Sequence, residues 1–119
     1  MDVINVARQI QKKIHLLEEG RDTLELLALE KAQAIGKYEK EVAITLMALR
    51  AGKPFELEGE TIKDPPVSIM EKLVKGICWE VSIANSLADA KYKIGIEKMK
   101  SIEAELNGYQ SINKNLETI

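Results

Sequence analysis

Histidine, cysteine, proline and aromatic residues are all scarce in this chain, and each shortage removes a class of answer. Its 119 residues include one histidine, one cysteine, three prolines, one tryptophan, three tyrosines and one phenylalanine. A lone cysteine, Cys78, excludes an internal disulfide and a cysteine-built zinc site, and it fits a reducing compartment. With aromatics at 4%, a core centred on rings is ruled out; helical bundles manage with Leu, Ile, Val, Ala and Met. Charge of one sign is lacking too: 17 basic and 19 acidic residues leave a net charge of −2. Up to Gly59 the balance is 9 basic to 10 acidic, and beyond it 8 to 9. Such a chain has no bulk electrostatic drive toward nucleic acid or an anionic membrane, although a local patch can still form. No apolar run approaches the roughly 18 residues of a membrane span. The opening "MDVINVARQIQKK" spreads polar residues throughout, unlike a signal peptide. The expectation is a non-membrane protein of the cytoplasm.

What is present is helix. Apolar content of 45% with 30% charged suits a folded protein, and the length suits a single domain over 1–119. No proline occurs from 2 to 51. Alternate steps of four and three along that stretch meet Val3, Ala7, Ile10, Ile14, Leu17, Arg21, Leu24, Ala28, Lys31, Ile35, Tyr38, Val42, Thr45 and Leu49. All but Arg21, Lys31 and Thr45 are apolar or aromatic, which is a coiled-coil heptad. It predicts one helix over 2–51. Leu16, Leu26, Leu27, Leu29, Ile44, Leu46 and Met47 widen the stripe beyond what a two-stranded seam needs. That width predicts further helices from another copy, hence a homo-oligomeric bundle. Gly20 and Gly36 each cost about 1 kcal/mol of helix propensity, and Gly20 is the expected interruption if there is one.

"GKPFELEGETIKDPP" then breaks the pattern. Gly52 with Pro54 stops a helix. "FELEGETI" alternates as a hairpin over 54–63, turning at Glu58-Gly59 with Phe55 opposite Ile62. Its apolar face, including Leu57, can cap the helical core or meet a partner. In "DPPVSIMEK", Asp64 is the expected cap, proline suits the first turn, and Ser68-x-x-Glu71 resembles a capping box. A second helix over 65–116 follows, with apolar positions Ile69, Leu73, Ile77, Val81, Ala84, Leu87, Ile94, Met99, Ile102, Leu106, Tyr109 and Leu116. A break between Ala84 and Gly95 is the weak point, and the polar tail "NGYQSINKNLETI" is the stretch expected to fray. The fold class is mainly α: two long antiparallel helices joined by a short β-hairpin.

Motifs of chemistry are few. There is no P-loop and no GxGxxG. His15 has Glu18 and Glu19 one turn on; it reads as a residue at the seam edge covering a core layer rather than a ligand or base. Cys78 has Lys75 one turn back and no histidine nearby in sequence, so it reads as a small buried hydrophobe. Glu18 with Asp22 lacks the Glu-x-x-His of a di-metal site and reads as a solvated acidic face. No catalytic residue, metal site or cofactor is expected. Trp79, beside Glu80, fills either a core or an oligomer interface, or it anchors a partner. Within "KYKIGIEKMK", Lys91 and Lys98 share one face, Lys93 and Lys100 another, with Tyr92 between; as a set they could hold phosphates and stack a base. The plainer reading is a solvated lysine face. Phe55, Leu57, Ile62, Trp79 and Tyr109 are the candidate partner or oligomer contacts.

In "DPPVSIMEKLVKGICWE" and "AELNGYQSINKNLE" the chain resembles small uncharacterised proteins encoded by tailed phages and prophages, a likeness spanning most of the chain including "FELEGETI". The resemblance implies a small accessory protein of the host cytoplasm that acts by binding. One reading is a non-enzymatic module countering a host defence factor, sequestering a host protein or a phosphate-bearing nucleotide second messenger. The alternative is a structural or accessory coiled coil in phage replication or recombination, with single-stranded DNA as a ligand to be tested.

Overall fold

The computed structural model describes residues 2–117. Its elements are α1 (Val3–Arg50), β1 (Phe55–Leu57), β2 (Glu60–Ile62), α2 (Val67–Ile77) and α3 (Trp79–Glu117). The chain divides into two compact units. One holds the chain up to Leu29 and from Ala90 onward; the other is Glu30–Asp89. Among the described residues, no helix is long and apolar enough to cross a membrane.

The first unit is an antiparallel pair made from α1 and α3. Its register is fixed by three contacts: Lys13 pairs with Glu105, Gly20 faces Met99, and Gly95 faces Leu24 and Leu27. At the start of α1, the Asp2 carboxylate accepts the Asn5 backbone N–H at 2.8 Å, satisfying one orphan donor of the first turn. Among the described residues of this unit, only Val6 and Leu17 are buried.

The expected heptad is turned here. Leu17 and Leu24 point inward as read, but Ala7, Ile14, Arg21 and Ala28 are exposed. Lys13, Gly20 and Leu27, one residue earlier, flank the seam instead. Arg21 supplies the reason, because burying its unpaired charge would cost several kcal/mol. Gly20 beside it lets Met99 come in close. Neither Gly20 nor Gly36 interrupts α1.

The second unit surrounds the one buried cluster of the chain's described residues: Leu49, Met70, Val74, Cys78 and Val81. Tyr38, Val42, Leu46, Phe55, Ile62 and Ile77 pack around it. Thr45 is buried beside it with Oγ1 3.4 Å from the Cys78 sulfur. Lys31 and Asp89 pair at 3.0 Å, again antiparallel.

The bend follows local chemistry closely. Gly52 takes φ +82°, its N–H bonds Leu49 C=O, and the Lys53 N–H bonds Ala48 C=O. That pair of bonds is a Schellman closure, and Pro54 follows it. β1 and β2 pair with Phe55 opposite Ile62 and Leu57 opposite Glu60, in the expected register. Both turn residues have positive φ, Glu58 at 50° and Gly59 at 78°, the signature of a type I′ turn. Glutamate is strained there where asparagine is tolerated. Glu58→Asn should therefore stabilise the fold by about 0.5–1 kcal/mol in urea unfolding; a loss of stability would exclude this turn.

The restart departs from expectation in detail. Helix α2 begins at Val67, with Pro66 at the N-cap and no side-chain cap bond. Asp64 has left-handed backbone, φ 48°, and its carboxylate lies toward Gly52 rather than over the helix start. The second long helix is also two helices. The change comes at Cys78, φ −90° and ψ 25°, just past Gly76, where helix propensity is lowest. From 84 to 95 the helix is unbroken, and the polar tail is helical to Glu117; 118 and 119 lie outside the described residues. Along α3, Ala84, Leu87 and Ile94 are exposed, while Asn85, Ala88, Tyr92 and Gly95 take the seam positions leading to Met99 and Ile102. Glycine suits the inward position 95, where a Cβ would sit 3.0 Å from Leu24 and 3.1 Å from Leu27, closer than ordinary contact.

Candidate functional site

Besides the exposed Ile44, Met47, Val67 and Ile69, the surface of the second unit carries an apolar ridge that its core does not use. Trp79, Ile83 and Leu87 are 52%, 50% and 57% exposed. Four-residue spacing puts them along one face of the first turns of α3. Their orientation follows from the break at Cys78, since Cys78 and Val81 are the residues that enter the core. Position 79 is thereby turned outward. A tryptophan this exposed, in line with two more large apolar side chains, is the composition of a protein-contact hot spot.

The hairpin residues lie otherwise. Phe55 and Ile62 are half-buried against the core of their own unit, and the Leu57 side chain approaches Gly76. Their apolar face caps helices, and the exposed hairpin side chains are Glu56, Glu58, Glu60 and Thr61. In the first unit, Tyr109 is half-buried in a groove with Glu105, Gly108 and Ile112.

The lysine cluster is spread around α3 rather than gathered. Tyr92 is half-buried in the seam beside Arg21, Leu24, Glu25 and Ala28. Lys91 and Lys98 lie on one flank of it, Lys93 and Lys100 on the other, as their seven-residue spacings require. Lys98 borders a groove of about 240 Å³ that Glu19 also lines. Lys100 sits 3.4 Å from Glu97. The Glu97 carboxylate beside Lys100 lowers the local potential available to a phosphate there.

His15 bonds Glu19 through Nε2 at 2.9 Å on the outer face of α1, both side chains well exposed. It covers no core layer, contrary to expectation. The reason is the rotated seam, which places Lys13 and Leu17 inward and residue 15 outward. Cys78 is buried against Thr45, as its reading as a small hydrophobe anticipates. Glu18 and Asp22 are exposed. Among the described residues, no three His, Cys, Asp or Glu side chains cluster to hold a metal ion.

The sequence reading named Trp79 but missed Ile83 and placed Leu87 in the seam. An i, i+4, i+8 pattern starting from the only tryptophan was the available signal. No family model, curated protein or solved structure matches the chain.

Proposed function

We propose that this protein is a non-enzymatic binding module that holds a partner protein on the Trp79–Ile83–Leu87 ridge. The exposure of the only tryptophan within a row of three large apolar side chains carries this reading. Burying such a ridge against a partner repays desolvation, and tryptophan anchors are the residues whose truncation costs most. The phage resemblance extends the proposal to a host defence factor as partner, with sequestration as the mode of action. Assembly of copies into a helical bundle belongs to the same reading. Sequestration of a phosphate-bearing nucleotide draws weaker support, because Lys91, Lys93 and Lys98 do not converge around Tyr92.

Two measurements test it. Acrylamide should quench Trp79 fluorescence efficiently in the free protein. A partner captured from bacterial lysate should bind Trp79→Ala at least about tenfold more weakly, with the melting curve of the variant unchanged. Equal capture by the variant would sink the proposal, as would a tryptophan shielded from quencher in the free protein.

A further inference from the structure

Among the described residues, the first unit leaves a long flank of α3 uncovered, and that flank carries charges of both signs. Its upper groove, about 240 Å³, is lined by Leu16, Gly20, Leu27, Gly95, Met99 and Ile102, with Glu19 and Lys98 as its charged members. A second groove of about 400 Å³ is lined by Glu105, Gly108, Tyr109 and Ile112. Seven-residue spacing aligns Lys98, Glu105 and Ile112 in one row, and Gly95, Ile102 and Tyr109 in the next, so both grooves lie on the same flank of α3. Ile94 and Ile112 are 56% and 39% exposed along it, in a unit whose buried side chains among the described residues are Val6 and Leu17.

We propose that this flank binds the same flank of a second copy, α3 against α3, antiparallel about a two-fold axis near Ser101 and Ile102. The charges select both the occupant and the register. A two-fold contact is reciprocal, so every residue meets a partner at a fixed sum of positions. Setting Lys98 against Glu105 of the second copy returns Glu105 against the other Lys98, two opposite-charge pairs from one choice. The same register keeps Gly108 of each copy in the contact, and with nothing within 4 Å of a Cβ there the helix of the second copy can approach closely. It also sets Ile94 against Tyr109. Glu105 keeps its bond to Lys13, and its half-exposed carboxylate has a second oxygen for the incoming lysine. With a net charge of −2, two copies repel little.

Gly108 provides a clean test because nothing lies within 4 Å of a Cβ placed there. Gly108→Leu should leave the single chain folded, with helix content equal or higher, yet fill the space a second copy needs. In sedimentation at low salt, the wild-type chain should dimerise at micromolar concentration and Gly108→Leu should weaken this at least about tenfold. Lys98→Glu and Glu105→Lys should each weaken self-association about tenfold, whereas a mixture of the two variants should pair, since each supplies the charge the other lacks. The mixture also guards against a variant that merely misfolds, since recovery requires both chains to be intact. A monomeric wild-type chain at 100 µM (a concentration on the order of the weak-dimer limit), dimerisation indifferent to Gly108→Leu, or a mixture no better than its components would each overturn the proposal. So would occupation of the flank by a different protein that Gly108→Leu displaces while the chain alone stays monomeric.

Discussion

Leu49→Ala should cost the second unit about 2–5 kcal/mol, the largest single loss expected in this chain. Leu49 sits in the last turns of α1, 1% exposed, in the cluster with Met70, Val74, Cys78 and Val81. Helix α1 ends in the Schellman closure one turn later, and the hairpin residues Phe55 and Ile62 cover the same cluster. Its neighbours therefore come from α1, the hairpin, α2 and α3 together. They cannot all collapse toward a truncated side chain, so the cavity persists and adds to the lost transfer free energy. A loss of that size is a large share of the stability of a small domain. Trp79 lies in the same unit and is the only tryptophan, so its fluorescence during urea unfolding reports this unit directly. A shift below about 0.5 kcal/mol, the scale of an ordinary surface substitution, would show that the cluster is not the core.

Gly95→Leu should destabilise the first unit by about 1–3 kcal/mol, although the substitution improves helix propensity by about 1 kcal/mol. The comparison that isolates the cause is Gly36→Leu. Both glycines lie in helix interiors, so both substitutions gain the same propensity. Around Gly36 there is open space, while a Cβ at Gly95 meets methyls of Leu24 and Leu27 at 3.0 and 3.1 Å. One leucine methyl can swing aside for a Cβ; two, with an isobutyl group between them, cannot without parting the helices. Gly20→Ala falls between these cases, because the atom it would meet is the sulfur of Met99, on a flexible side chain that can give way. Unfolding followed by circular dichroism should thus rank Gly36→Leu as stabilising, Gly20→Ala as near neutral and Gly95→Leu as destabilising. Equal effects at 36 and 95 would mean that α1 and α3 do not touch at Gly95.

These glycines also show where a sequence stops being legible. Gly20, Gly36 and Gly95 all look like weak points in a helix when only propensity is considered. In the structure one is solvent-exposed and two are close approaches, and what separates them is the identity of the residue across the seam. The candidate ridge obeys the same logic. Trp79 stood out by composition, yet its outward direction depends on Cys78 and Val81 taking the buried positions on either side of the helix break. Ile83 and Leu87 became its neighbours only once Asn85 and Ala88 were inward.

By itself the sequence determined the helical class, the closure at Gly52, the turn at Glu58-Gly59 and the pairing of Phe55 with Ile62. Those features rest on backbone dihedral preferences and on contacts a few residues apart, so the residues involved carry the whole cause. Tertiary structure decided which row of a wide apolar stripe faces inward, turned Arg21, Leu87 and Ile94 outward, and divided the second helix at Cys78. Several rows of such a stripe are nearly equal in apolar content, and a helix alone has no reason to prefer one of them. The preference comes from the facing helix: where it brings Met99 the position must be small, and where it offers Asp89 the position can be Lys31.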